Sequence, residues 1–201
     1  MRIVFFILLL TAFKGFGQDI FEVNKSLGLS ENLEYEREIR IYKDFQDNNN
    51  VEIFRMYDKG NNNWKVEISY YAKDYKQCTK KDVIDFPKES AANPKPRDPQ
   101  LIWFNMLLAD IEYLPNLQDI KYKLKNSTIE KIDGKNTLLK KVKTVPNVFS
   151  YSIFVRNVKV NNYFVFNDPE KYFDLFPDVN ELVSFNKLLS VIRNEFNIWK
   201  N

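Results

Sequence analysis

The chain has 201 residues, 44% of them apolar and 15% aromatic, enough to build a packed core and too much for wholesale disorder. Its formal charge of +3 lacks the basic excess of a dedicated nucleic-acid binder, so no nucleic-acid partner is expected. With no histidine and one cysteine, it cannot assemble Ser-His-Asp or Cys-His catalysis, the usual zinc sets or an intramolecular disulfide. Any catalysis would have to run on carboxylates, lysines or tyrosines. No metal or other cofactor is expected.

Residues 1–17 read as a secretory signal. Met1-Arg2 supplies a short basic start, Ile3 to Ala12 is apolar except for Thr11, and Gly15-Phe16-Gly17 places small residues ahead of Gln18. The apolar run is too short to span a bilayer, which takes roughly 18 or more residues. No cysteine stands at the junction to carry a lipid. The expectation is export to a periplasm or the extracellular space, without stable membrane insertion after cleavage. Losing Arg2 and Lys14 would lower the net charge from +3 to +1. Residues 18–201 are expected to form a single domain.

Residues 18–32 mix polar and apolar positions and suit a short helix. A period of two then sets in. Tyr35, Ile39, Ile41 and Phe45 fall on one face, with Glu34, Glu36, Glu38 and Arg40 on the other. Val51–Tyr57 and Trp64–Tyr70 follow, separated by Asn/Asp/Gly turns, so an antiparallel meander with one wet face is expected. The alternation stops at Lys73. From there to about residue 98, Cys78 and Pro87, Pro94 and Pro96 suggest a mobile Pro-rich loop. Lys76, Lys80 and Lys81 lie close enough in sequence to Cys78 to influence its thiol.

Asp98-Pro99 has the chemistry of a helix start, and Leu101, Phe104, Leu107, Leu108 and Ile111 are spaced to line its buried side. Ile120, Tyr122 and Leu124 alternate with Lys121, Lys123 and Lys125 as a strand would. Asp133-Gly134 between two β-prone runs is a strong hairpin signal. Phe149–Val155 and Tyr163–Phe166 read as further strands. A second Asp-Pro pair, Asp168-Pro169, opens a short helix. After Pro177, Val179, Leu182, Phe185, Leu189, Ile192, Phe196 and Trp199 form one apolar stripe. It is expected to pack on the sheet face carrying Tyr35, Ile39, Trp64 and Val66. The fold class is therefore α+β: an antiparallel sheet of about 7–8 strands in the order βββ-α-βββββ-α, covered by the long C-terminal helix.

Four sets of residues are candidates for function. Between Lys121 and Lys143, eight lysines face only Glu130 and Asp133, whereas residues 168–181 are acidic. Lys121, Lys123, Lys125, Lys140, Lys141 and Lys143 are the expected binding residues for a protein or an anionic envelope component. Glu34, Glu36 and Glu38, about 7 Å apart at alternate strand positions, have a spacing compatible with carboxylate-based glycan hydrolysis. Tyr70, Tyr71, Tyr75, Tyr163, Tyr172 and Trp199 are aromatics of the kind that stack on sugars or lipid. Asp47, Glu52 and Asp58 offer oxygen ligands without the spacing of a calcium loop. Together these features favour a non-catalytic, exported binding protein. The alternatives are a carrier holding a small apolar ligand between sheet and helix, and a glycan hydrolase.

Overall fold

A computed structural model describes residues 15–46, 49–86, 97–143 and 145–200. In chain order the elements are α1 (Gly15–Leu27), β1 (Arg37–Phe45), β2 (Asn50–Asp58), β3 (Trp64–Ala72), β4 (Gln77–Asp85), α2 (Pro99–Leu107), a 3-10 turn (Lys121–Lys123), β5 (Lys125–Ile132), β6 (Lys135–Val142), β7 (Phe149–Asn157), β8 (Val160–Asn167), α3 (Pro169–Leu175) and α4 (Asn180–Phe196). Six strands make one antiparallel sheet in the order β4-β3-β2-β1-β7-β8, and β5 and β6 pair only with each other. The class is α+β, as the alternation and the terminal stripe imply. Most of the expected signal, residues 1–14, lies outside the described residues, and Gly15–Gly17 opens α1. No helix among the described residues is long and apolar enough to cross a membrane.

The core begins with β1. Its Ile39 and Ile41 stand opposite Met56 and Phe54 on β2 and Val155 and Ile153 on β7. Val66, Ile68, Phe164 and Phe166 extend that buried face across the sheet. The α4 stripe closes over it: Phe185 stacks on Phe166 at 4.5 Å, and Phe196 meets Phe54 at 5.1 Å. Trp103 of α2 packs on Trp64 at 5.5 Å. Rings and aliphatic side chains thus fill the space between helix and sheet.

The structure departs from the sequence expectation in several places. The second sheet face is not wet. Val23 of α1 buries Tyr42, Val51, Ile53 and Tyr71 there, and the Tyr42 hydroxyl donates to Asn24 Oδ1 at 2.6 Å. Tyr35 lies on this second face, stacked on Tyr57 at 4.6 Å, because the chain bends before β1 begins at Arg37. The expected loop from Lys73 contains β4, an edge strand whose side chains are mostly exposed. Its charged residues suit an edge that must not pair further and leave no apolar period to read. Pro87, Pro94 and Pro96 lie outside the described residues.

Helix α2 starts where Asp98-Pro99 implied, with Asp98 Oδ1 accepting from the Gln100 and Leu101 amides, and of the five residues expected on its buried side Ile111 is buried beyond the helix and Leu107 packs partly on the core. Ile102, Trp103 and Met106 enter the core, while Leu101, Phe104 and Leu108 are exposed. Apolar residues surround this helix, so spacing alone could not choose a face. Residues 120–124 form a 3-10 turn rather than a strand. Ile120 and Leu124 are buried about one turn apart, and Tyr122 points outward. The order after α2 is consequently four strands followed by two helices.

Replacing Phe185 with alanine should cost about 3–5 kcal/mol by opening a cavity between α4 and the sheet. Replacing exposed Leu101 with glutamine should cost less than about 0.5 kcal/mol. Urea unfolding of the two variants checks the assignment of the buried faces, and comparable losses would contradict it.

Candidate binding surface and the buried charge network

The strongest hairpin signal in the sequence produces the most isolated element of the fold. Asp133 and Gly134 both take positive φ, 50° and 78°, the conformation needed by a two-residue turn whose twist matches its strands. Pairing runs from Ile132↔Lys135 to Lys125↔Val142. Neither strand joins the main sheet, and most of β5 is exposed. On one face Ile129 stands opposite Leu138, with exposures of 73% and 57%. Register places Lys125, Lys131 and Lys140 on that same face.

The six lysines expected to bind do not form one patch. Lys140 is next to the Ile129–Leu138 pair, and Lys125 lies one pair further along the same face. Lys141 lies on the opposite face, 3.7 Å from Glu130, and Lys143 follows β6. Lys123 is engaged internally, donating to Glu181 on α4. Lys121 lines a polar cavity beside β8. The acidic segment is similarly occupied, since Glu170 pairs with Arg193 and Asp168 stands 3.4 Å from Lys171.

The Glu34–Glu36–Glu38 set is not a row along a strand. Glu34 and Glu36 precede β1, whereas Glu38 lies within it and is fully buried. One Glu38 oxygen accepts from the Glu34 and Tyr35 amides at 2.7 and 2.9 Å. The other accepts from Arg40 Nε at 2.7 Å and Arg55 Nε at 2.8 Å. Arg40 continues to the carbonyls of Ser30 and Asn32, and Arg55 to Glu34 at 2.5 Å and Glu67 at 3.5 Å. The Arg55 guanidinium also lies 4.3 Å from the Tyr57 ring centre. This arrangement fastens residues 30–35 onto the sheet.

Burial alone would raise the Glu38 pKa, but Arg40 and Arg55 and the Tyr35 amide outweigh it and hold the carboxyl below its ordinary value. Burial and the neighbouring Glu67 push the Tyr57 phenol up to about 12. At the other end of β1, buried Lys43 lies within 4.8–5.9 Å of the ring centres of Phe149, Phe45, Tyr151 and Trp199. Burial lowers its pKa, an effect opposed by Glu170 and Glu52. This cation–π box holds Trp199 against the sheet, so that aromatic is engaged inside the fold.

The remaining candidates are scattered. Tyr71 is buried, Tyr75 is exposed, and Tyr163 packs on Phe154 at 4.5 Å. Lys80 covers Tyr70, and Tyr172 borders the polar cavity. Cys78 lies partly buried on β4, its amide donating to Ser26 Oγ of α1 at 2.9 Å. Asp58 is bound by Arg37 at 2.8 Å and by the Gly60 amide, while Asp47 lies outside the described residues. The polar cavity has no counterpart in the sequence reading. Of the residues that line it, the sequence singled out Lys121 and Tyr172 as separate binding candidates and Asp168 as a helix start.

Glu38→Gln should destabilise the fold by about 3 kcal/mol, because two buried guanidiniums lose their shared counter-charge. The depressed folded-state pKa also sets the sign of the pH dependence. The Glu38 contribution is fully present above the ordinary carboxylate value of 4.5 and is lost as pH falls through its lower folded-state value. Denaturant titrations across that range should show a shallower acid loss in the glutamine variant, and parallel curves would refute this assignment. In comparisons with protein-family models, curated proteins and solved structures, no significant match to this chain emerged.

Proposed function

We propose that this chain is an exported, non-catalytic binding domain that uses the β5–β6 hairpin as an arm to dock on an acidic protein surface. The observation that carries the reading is the exposed Ile129–Leu138 pair with Lys125, Lys131 and Lys140 on the same face. A two-stranded ribbon gains little stability in water by itself. A partner would cover the apolar pair, and its carboxylates would meet the lysines that rim it. From Lys125 to Val142 the arm carries five lysines against Glu130 and Asp133, so encounter with an acidic surface is favoured and salt-sensitive. Lys121 and Lys123 lie at its base and Lys143 beyond its second strand. The export part of the proposal rests on the composition of residues 1–17.

A photo-crosslinking side chain at Ile129, introduced into the full chain in its native producer, tests the docking surface. The expected result is a discrete protein adduct with an acidic contact surface. It should weaken with added salt and disappear when Lys125 and Lys140 are changed to glutamate. Crosslinking at Val83, exposed on β4, serves as the control. Equal yields at both positions, or adducts to lipid alone, would overturn the proposal.

A further inference from the structure

Helix α2 is a second place where apolar side chains face water. Between Asp98 and Asp110 the sequence carries no charged residue. Ile102, Trp103 and Met106 enter the core, while Leu101, Phe104 and Leu108, three and four residues apart, remain between 47% and 63% exposed. A helix that is apolar all round is ordinarily enclosed all round, and a contiguous apolar face on a protein surface marks an interaction site. We propose that the surface on which the arm docks is α2 of a second copy of this chain, with two copies exchanging arms about a twofold axis. This inference rests on the hairpin reading and names its partner.

The charges beside the two surfaces are complementary. Exposed Asp110 and half-buried Glu112 follow α2 directly. Asp110 accepts from the Ser184 hydroxyl at 3.5 Å and Glu112 from the Asn157 amide group at 3.0 Å, so each carboxylate keeps acceptor capacity for a cation. Lys187 of α4 reaches this end of α2 but donates to the Leu108 carbonyl at 3.0 Å. Arg97 precedes the helix at its far end. On the arm, Lys125, Lys131 and Lys140 share a face with Ile129 and Leu138. Laying that apolar pair on Leu101, Phe104 and Leu108 brings the lysines toward Asp110 and Glu112.

Each chain thus carries both halves of one contact and covers neither. About a twofold axis the arm of each copy meets α2 of the other, so the pairing is made twice and the assembly closes. A single ribbon contact is small for a stable interface, and the symmetry doubles it. The arm has the reach, since Ile129 lies four residues beyond its base at Lys125, about 13 Å along the strand.

Sedimentation equilibrium of the purified chain at low salt tests the assignment, with a photo-crosslinking side chain at Ile129 reporting the contact. A dimer is expected at micromolar concentration, weakening as salt rises, and the crosslink should map to residues 98–113 of the other copy. Ile129→Ser with Leu138→Ser on the arm, or Leu101→Gln with Leu108→Gln on α2, should each weaken dimerisation at least about tenfold. All four positions are exposed, so both variants should keep the fold, which urea unfolding verifies. Mixing the two variants restores one of the two arm contacts, and a mixed dimer should form more readily than either variant pairs with itself. A chain that stays monomeric at about 100 μM, crosslinks that map elsewhere, or a mixture that gains nothing would sink the second-copy assignment. If Ile129 then captures a different protein in the native producer, the docking arm stands and this identification of its partner fails. Capture of neither defeats both.

Discussion

The rest of the structure depends on β1 being buried on both faces while it carries charge on one of them. Ile39 and Ile41 point into the helix-covered core, and Glu38 and Arg40 occupy the other side almost without solvent. An isolated carboxylate in that position would be strongly disfavoured by desolvation. It is tolerated because Arg40, Arg55 and two backbone amides converge on it. The same bonds bring residues 30–35 across the sheet. The central strand, its neighbour β2 and the connection from α1 are thereby held by one set of hydrogen-bonded charges.

This arrangement distinguishes a stabilising carboxylate from a chemically available one. Both Glu38 oxygens are occupied by donors, and its neighbours are the cations that keep it ionised. A reacting carboxyl group needs access to substrate and a proton to give or take. Glu38 has neither property. Lys43 presents a parallel case: its ammonium sits among four aromatic rings that include Trp199, so it contributes to the seating of the C-terminal segment.

The least enclosed element lies at the periphery. The hairpin arm stands outside the main sheet, and the polar cavity forms where β8 gives way to α3. The arm leaves the Ile129–Leu138 pair exposed, whereas the carboxylate and guanidiniums around β1 are buried and bonded to one another. Arm and cavity differ in kind. The arm presents an open apolar pair with lysines on the same face, whereas the cavity is a recess lined by residues of three chain segments.

The sequence by itself determined the elements whose chemistry is local. The alternation of β1 to β3, the Asp133-Gly134 turn, the Asp98 cap and the terminal stripe each depend on residues close in the chain. Only tertiary structure decided which groups were brought together. Glu38 meets Arg55 across a strand pairing, Lys43 meets Trp199 at the end of the chain, and Asp168 reaches the cavity through packing of segments distant in sequence. β4 was illegible because an exposed edge carries no apolar period, and the buried side of α2 was undecided because that helix is apolar nearly all round. The hairpin and its lysines were visible in the sequence, but their separation from the sheet was not, since strand pairing is set by contacts that local periodicity does not encode.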